Sequence, residues 1–298
     1  MKILAIDFDS LFRRNWEAEA GQDGGNAYRR TVEEIQRRRD GWDRVVLAAD
    51  SGPSFRKAKA TDYKEGRTNP GAAYFDQRRR TLARLAADAC IVIDGPAVEG
   101  GHAEADDVLG WLAAAYTTHT RALDADAAQA WYLRIISGDG DLEQLVSDPD
   151  GIDLLKLTER EPWKAADVLG ARGVNPDKVP QLKALCGDKS DNYPGFEGIG
   201  PKIANVLREA GYATFDSVAA SNEADLRRTL ADAGLRLAPT LATWPAQSRP
   251  SSPRARWRRW CRGWRRRRWS SRRPRRRRAA RCRCDRAGAP PAARSRAR

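Results

Sequence analysis

Five short apolar runs, at residues 2–6, 44–49, 90–93, 131–136 and 152–157, are rich in Ile, Val and Leu and are separated by segments of helix length. Runs apolar on both alternating faces, spaced by helices, predict an α/β protein: a parallel sheet with helices on both faces. Three runs end in an acid: Asp7 follows Ile6, Asp50 follows Ala49, and Asp139 follows Ser137 and Gly138. In an open parallel sheet, ligands gather beyond the carboxyl ends of the strands, so these side chains should converge.

A further acidic group, Glu104, Asp106 and Asp107, precedes the helical pattern Val108, Leu109, Leu112 and Tyr116. Acids at a helix start complement the macrodipole, but three in four residues exceed what capping requires. Asp141 repeats the theme in Ser-Gly-Asp-Gly-Asp-Leu, and Asp188 and Asp191 in Gly-Asp-Lys-Ser-Asp-Asn join it if that loop folds back. Crowded carboxylates take up protons unless cations neutralise them. Hard oxygen donors without Cys or His point to Mg²⁺ or Mn²⁺. Two such ions about 4 Å apart suit phosphodiester hydrolysis, so a phosphate ester is the expected substrate. Asp9 and Asp94 are read as solvated or capping acids, His102 and His119 as solvated, and Trp16 and Trp42 as packing residues.

Charge changes the picture through its distribution. The 298 residues carry 54 Lys and Arg against 40 Asp and Glu, a net of +14. Residues 248–298 hold 22 Arg, no Lys and one acid, which leaves residues 1–247 at −7. The body is acidic and only the tail is basic, so the overall sign describes no basic domain. The tail also carries four Trp and three Cys. Its abrupt loss of Lys fits a changed reading frame in G+C-rich coding sequence better than a drifting composition. A nonspecific polycation for DNA is the alternative. No apolar run approaches the roughly 20 residues that span a bilayer, the N-terminus is too acidic for a signal peptide, and isolated cysteines give no disulfide framework. A cytoplasmic address and no membrane partner are expected.

Residues 194–205 read Pro-Gly-Phe-Glu-Gly-Ile-Gly-Pro-Lys-Ile-Ala-Asn, with Pro201 suited to a first helical position. With a helix over 179–185 this predicts a helix-hairpin-helix. Gly198 and Gly200 admit a phosphate to the backbone amides, and Lys202 adds charge.

Together the motifs identify a resemblance. Asp50 with Gly-Pro-Ser-Phe-Arg (52–56), Tyr-Lys-Glu-Gly-Arg (63–67), Glu-Ala-Asp-Asp (104–107), Gly-Asp-Gly-Asp-Leu (138–142) and Gly-Asp-Lys-Ser-Asp-Asn-Tyr-Pro-Gly (187–195) resemble the flap endonuclease and 5′ nuclease family. That family includes the 5′ nuclease domain of bacterial DNA polymerase I and stand-alone phage 5′ exonucleases. The resemblance covers about residues 2–215.

It implies a PIN-like nuclease domain (1–175) with a helical arch at 55–80, a helix-hairpin-helix module (176–247) with truncated C-terminal helices, and the Arg-rich tail. Asp7, Asp50, Glu104, Asp106 and Asp139 match ligands of a first metal; Asp107, Asp141, Asp188 and Asp191 match those near a second. Lys64 and Arg67 match residues that reach the scissile phosphate, Tyr63 one on which a terminal base stacks, and Arg56 a phosphate contact at the arch base. Arg78, Arg79 and Arg80 are read as surface charge. Two Mg²⁺ or Mn²⁺ ions and a K⁺ at the hairpin are the implied cofactors. The implied activity is cleavage of 5′ flaps or 5′ ends of DNA, RNA-primed ends included, by a monomer in replication, with a phage-encoded enzyme as the expected setting. A non-catalytic junction binder, or more remotely a haloacid-dehalogenase-like phosphatase using Asp7 and Asp9, are the alternatives. Residues 117–130 form a longer connection than the family's, with no function assigned.

Overall fold

The computed structural model describes residues 1–19, 26–193, 195–235 and 238–248. The tail beyond, with either reading of it, lies outside the described residues.

All five apolar runs become strands. β1 (Lys2–Asp7) is central and is followed by α1 (Phe8–Ala18) and α2 (Ala27–Arg38). β2 (Arg44–Ala49) leads through α3 (Phe55–Lys59) and α4 (Ala72–Ala87) to β3 (Ile91–Asp94). A small hairpin, β4 (Ala97–Val98) with β5 (Gly101–His102), precedes α5 (Ala105–Thr120), α6 (Ala125–Gln129), β6 (Tyr132–Ser137) and β7 (Ile152–Lys156). The main sheet is parallel, in the order β3-β2-β1-β6-β7. The chain therefore builds outward from β1 on one side and then, from β6, on the other. That reversal opens a crevice between the carboxyl ends of β1 and β6, where ligands bind in such sheets.

Strand side chains alternate between two cores. Leu4, Ile6, Leu47 and Ile136 pack with Phe8, Leu11 and Phe12 of α1, Ile35 of α2 and Leu85 of α4. Ala5, Val46, Leu133 and Ile135 face the other way, against Val108 and Leu109 of α5. This second core continues into the C-terminal helices: α7 (Ala165–Arg172), α8 (Val179–Cys186), α9 (Pro201–Glu209), α10 (Phe215–Ala219), α11 (Glu223–Asp232) and α12 (Trp244–Gln247). Leu185, Leu207, Leu230 and the fully buried Trp244 all belong to it.

Residues 117–130 are not a plain connection. α5 runs to Thr120, whose hydroxyl donates to the Tyr116 carbonyl, and α6 starts at the N-cap Asp124, whose side chain accepts from the Ala127 N–H. His119 is exposed, but one side of its ring lies against Trp131, with centroids 4.5 Å apart. Trp16 packs edge-on to Tyr74, and Trp42 stacks on Tyr132. Among the described residues, no helix is long and apolar enough to cross a membrane.

Candidate functional site

The acids assemble where the topology places them. Asp7 ends β1 and caps α1; its carboxyl accepts from the Ser10 N–H at 3.0 Å and from the Ser137 hydroxyl, at the end of β6, at 2.6 Å. Burial, helped by the charges of Asp9 and Asp50, pushes its pKa up to about 7 despite those hydrogen bonds. Asp50, just past β2, accepts from the Ala105 N–H at 2.7 Å; burial and Asp9 push it up to about 6. Asp106, in the first turn of α5, is raised well above the carboxylate range by desolvation and by Asp7, Asp139 and Asp141. Asp139 accepts from the Asp141 N–H at 2.8 Å, opening a 3-10 turn over Gly140–Leu145. Burial also lifts Asp191.

A cleft lined by Glu104, Asp106, Asp141, Asp188, Asp191, Arg56, Tyr63, Lys183 and Tyr193 connects this group to solvent. On that side the chain supplies its own cations. Lys64 donates to Glu104 at 2.9 Å and Arg67 to Asp191 at 3.2 Å. Burial would raise Glu104, but Lys64 and Arg56, with hydrogen bonds from Lys64 and Tyr63, hold it below its usual value. Asp188 is likewise penalised by burial yet held low by Lys183 and by the Ser190 hydroxyl.

Lys183 is the residue sequence reasoning missed. From α8 it bonds Asp188 at 2.6 Å and also pairs with Asp141. Burial opposes its charge, but the two carboxylates raise its pKa. Asp141 nevertheless stays raised, to about 6, because burial outweighs the lysine. A signal was present: Lys183 lies five residues before Asp188, with Gly187 turning the chain between them. The partner Asp141, 42 residues away, was not visible.

Several of the expected site residues have partners of their own. Asp107 does not face the cleft. It accepts two hydrogen bonds from Arg56, at 2.6 and 2.7 Å, and one from the Glu104 N–H at 3.0 Å, the return half of a capping box. Arg56, 3 % exposed, also bonds Glu104 at 2.9 Å, so its guanidinium is engaged by carboxylates at the cleft wall. Tyr63, 2 % exposed, donates to Glu104 at 2.8 Å, so its ring is no open stacking platform. The expected arch is α3, a loop over 60–71 carrying Tyr63, Lys64 and Arg67, and α4. The loop is fastened across the cleft by the Asn192 side chain, which donates to the Asp62 and Glu65 carbonyls at 3.1 Å each.

Asp9, expected to be solvated or capping, and Arg78, expected to be surface charge, form a two-bond pair at 2.5 and 2.7 Å. Arg79 and Arg80 are exposed, with Asp76 as their partner. His102 is half-buried, and its Nδ1 has no hydrogen-bond partner.

In the hairpin, Gly200 is the N-cap of α9 with nothing within 4 Å of the place a Cβ would take, and Lys202 is exposed in the first turn. Gly198 has another reason to be glycine: at φ +81° its Cβ would stand 2.4 Å from the Thr240 hydroxyl.

Among the described residues, no three His, Cys, Asp or Glu side chains already stand ready to hold a metal ion. On the cleft side Lys64 pairs with Glu104, Arg67 with Asp191, and Lys183 with both Asp141 and Asp188. The donor chemistry fits Mg²⁺ or Mn²⁺: all-oxygen, crowded, and with inner members whose pKa values are raised by burial and by one another's charge.

A parallel sheet with an acidic crevice at its switch point, and a glycine hairpin opening a helix on the same body, define a resolvase-like nuclease fold. The chain belongs to the 5′-3′ exonuclease N-terminal resolvase-like domain family, which matches residues 2–173, and an HHH domain family (RS2/RL21/YNQ2) matches 196–250. The DNA polymerase I of Bacillus caldotenax is 36% identical over 181 residues, 59% of this chain and 19% of that protein. The 5′-3′ exonuclease of Bacillus subtilis is 32% identical over 176 residues, 58% of this chain and 53% of that protein. The chain thus matches from about a fifth to about half of the length of these relatives. The T5 D15 protein co-crystallised with metal ions superimposes with a TM-score of 0.59 at 21% identity, over 83% of this chain and 91% of that one, a likeness of fold.

Proposed function

We propose that the chain is a divalent-metal-dependent, structure-specific 5′ nuclease, hydrolysing phosphodiester bonds near single-strand to duplex junctions in primer or flap removal. One observation carries the reading: Asp7, Asp50, Asp106 and Asp141, from four separate segments, crowd one crevice with pKa values pushed up by burial. A fold tolerates such a cluster when a cation is meant to enter it.

Asp7, Asp50, Glu104, Asp106 and Asp139 would hold one Mg²⁺ or Mn²⁺, with Asp141, Asp188, Asp191 and, behind them, Asp107 near a second. Such ions supply an activated water and neutralise the leaving oxygen. Lys64 and Arg67, already over the cleft, would move from carboxylate to phosphate and offset charge as it develops. Arg56 and Asp107 act from behind by fixing Glu104. Gly200 and Lys202 at the start of α9 would receive a backbone phosphate of the duplex without reading bases; the hairpin K⁺ rests on the resemblance alone. We also assign residues 1–175 to the nuclease unit and 176–247 to the duplex-gripping module.

The test is cleavage of a 5′-flap oligonucleotide with Mg²⁺ present or chelated. Cleavage with Mg²⁺ only is expected, and Asp50→Asn or Asp139→Asn should abolish it while leaving binding measurable. Binding without cleavage by the parent protein in either Mg²⁺ or Mn²⁺ would sink the enzymatic reading in favour of a junction binder.

A further inference from the structure

Asp9 and Arg78 lie outside every group assigned above, yet they form a closed network around Asp50. Arg78 Nε donates to Asp9 Oδ1 at 2.5 Å and Nη2 to Oδ2 at 2.7 Å, the fork-to-fork geometry of a strong pair. The same Nη2 donates to the Asp50 carbonyl at 2.6 Å, and Asp9 Oδ2 accepts from the Asp50 N–H at 2.6 Å. Both side chains are mostly withdrawn from water, at 16 % and 18 % exposure, and the guanidinium lies 5.7 Å from the Phe8 ring centre.

Asp50 stands one residue past the end of β2, where the ladder no longer pairs its main chain. Buried backbone groups must find partners, and here one ion pair supplies both of them. Its two members come from α1, directly behind Asp7, and from α4, the descending leg of the arch.

We propose that Asp9 and Arg78 are positioning residues for the reaction: they set the main chain of Asp50 and tie it to the arch helix α4, so that the position of α4 decides where the Asp50 carboxyl points. A pair that only joined α1 to α4 would need no bonds to Asp50. The inference rests on the nuclease reading, in which Asp50 is a metal ligand. Groups that orient ligands typically change metal affinity or rate about 10- to 100-fold when removed.

The experiment compares the parent with Asp9→Ser, Arg78→Met, the double variant and Arg78→Lys, using thermal unfolding, flap-DNA binding in chelator, Mn²⁺ binding by electron paramagnetic resonance, and steady-state cleavage. Each single change should lower kcat about 10- to 100-fold, leave KM within about 2-fold, and weaken Mn²⁺ binding. The double variant should be no worse than the worse single, because the pair acts as a unit. Arg78→Lys, which keeps the charge and loses the fork, should fall between. Unchanged kcat and Mn²⁺ binding in folded variants, additive losses in the double, or a raised KM with kcat retained would overturn the proposal. If the single variants do not fold, Arg78→Lys and the charge-balanced double decide: parental kcat and Mn²⁺ binding in both overturns it. If the parent cleaves no flap DNA, the nuclease reading fails on its own, while Mn²⁺ binding still reports whether the pair positions Asp50.

Discussion

The two sides of the acidic crevice are built on opposite principles. On the inner side, Asp7, Asp50 and Asp106 sit at strand and helix ends; Asp7 and Asp50 accept from backbone amides and Asp7 also from a serine hydroxyl, and burial lifts the pKa values of all three. On the outer side, Glu104 and Asp188 are pulled low by Lys64, Arg56 and Lys183. One side is crowded with like charge and desolvated, which raises its pKa values; the other is paired with cations of its own. The difference teaches that, on the nuclease reading, the inner side is where an entering divalent cation would relieve the most repulsion.

The largest test removes an inner carboxylate. Asp50→Asn or Asp139→Asn should reduce flap cleavage at least about a thousandfold, read by single-turnover kinetics, since residues acting as one unit lose nearly everything together. Next comes Arg56→Met, on the outer side. It leaves Glu104 and Asp107 buried without their shared partner and should cost about 3 kcal/mol or more in chemical denaturation, with a loss of cleavage that follows the loss of folded protein.

A third test uses pH. In the metal-free protein Asp7 titrates near 7, and Asp50 and Asp141 near 6, against an ordinary 3.8. The folded state then binds more protons than the unfolded chain, so stability present at about pH 4 falls as pH rises through about 6 to 7. Glu104 and Asp188 are depressed, so their contribution has the opposite slope: it is present above the ordinary carboxylate range and lost on acidification. Unfolding midpoints from about pH 4 to 8 should therefore pass through a maximum, and millimolar Mg²⁺ should raise the neutral side selectively. The smallest effect is expected from Lys183→Met. Removing the cation shared by Asp141 and Asp188 should lower the metal-free midpoint and tighten Mn²⁺ binding several-fold, because one competitor is gone.

Much of this was legible along the chain. The five strands, the start of α5 at Glu104 and the hairpin turn into α9 follow from apolar periodicity, acids at strand ends and glycine with proline, all signals within a few residues. The partners of Arg56, Tyr63 and Arg78 could not be read from the sequence, for a common reason. A basic or aromatic side chain declares its chemistry in sequence but not what it faces, and the partners Asp107 and Asp9 lie 51 and 69 residues away. Lys183 went unnoticed because a single lysine on an amphipathic helix looks like any other. Asp107 serves a capping box here, and capping and ligation ask for the same residue at the same place, so the sequence alone does not separate the two.

The apolar core beneath the crevice has a mechanical consequence. Ile135 in the sheet, Leu185 before the hairpin, Leu207 after it and Trp244 near the end of the described chain share one packed interior. Close-packed interiors yield little. On the nuclease reading, that interior would set the distance from the α9 amides to the crevice, and a duplex held at one end would present its backbone to the other as if against a ruler.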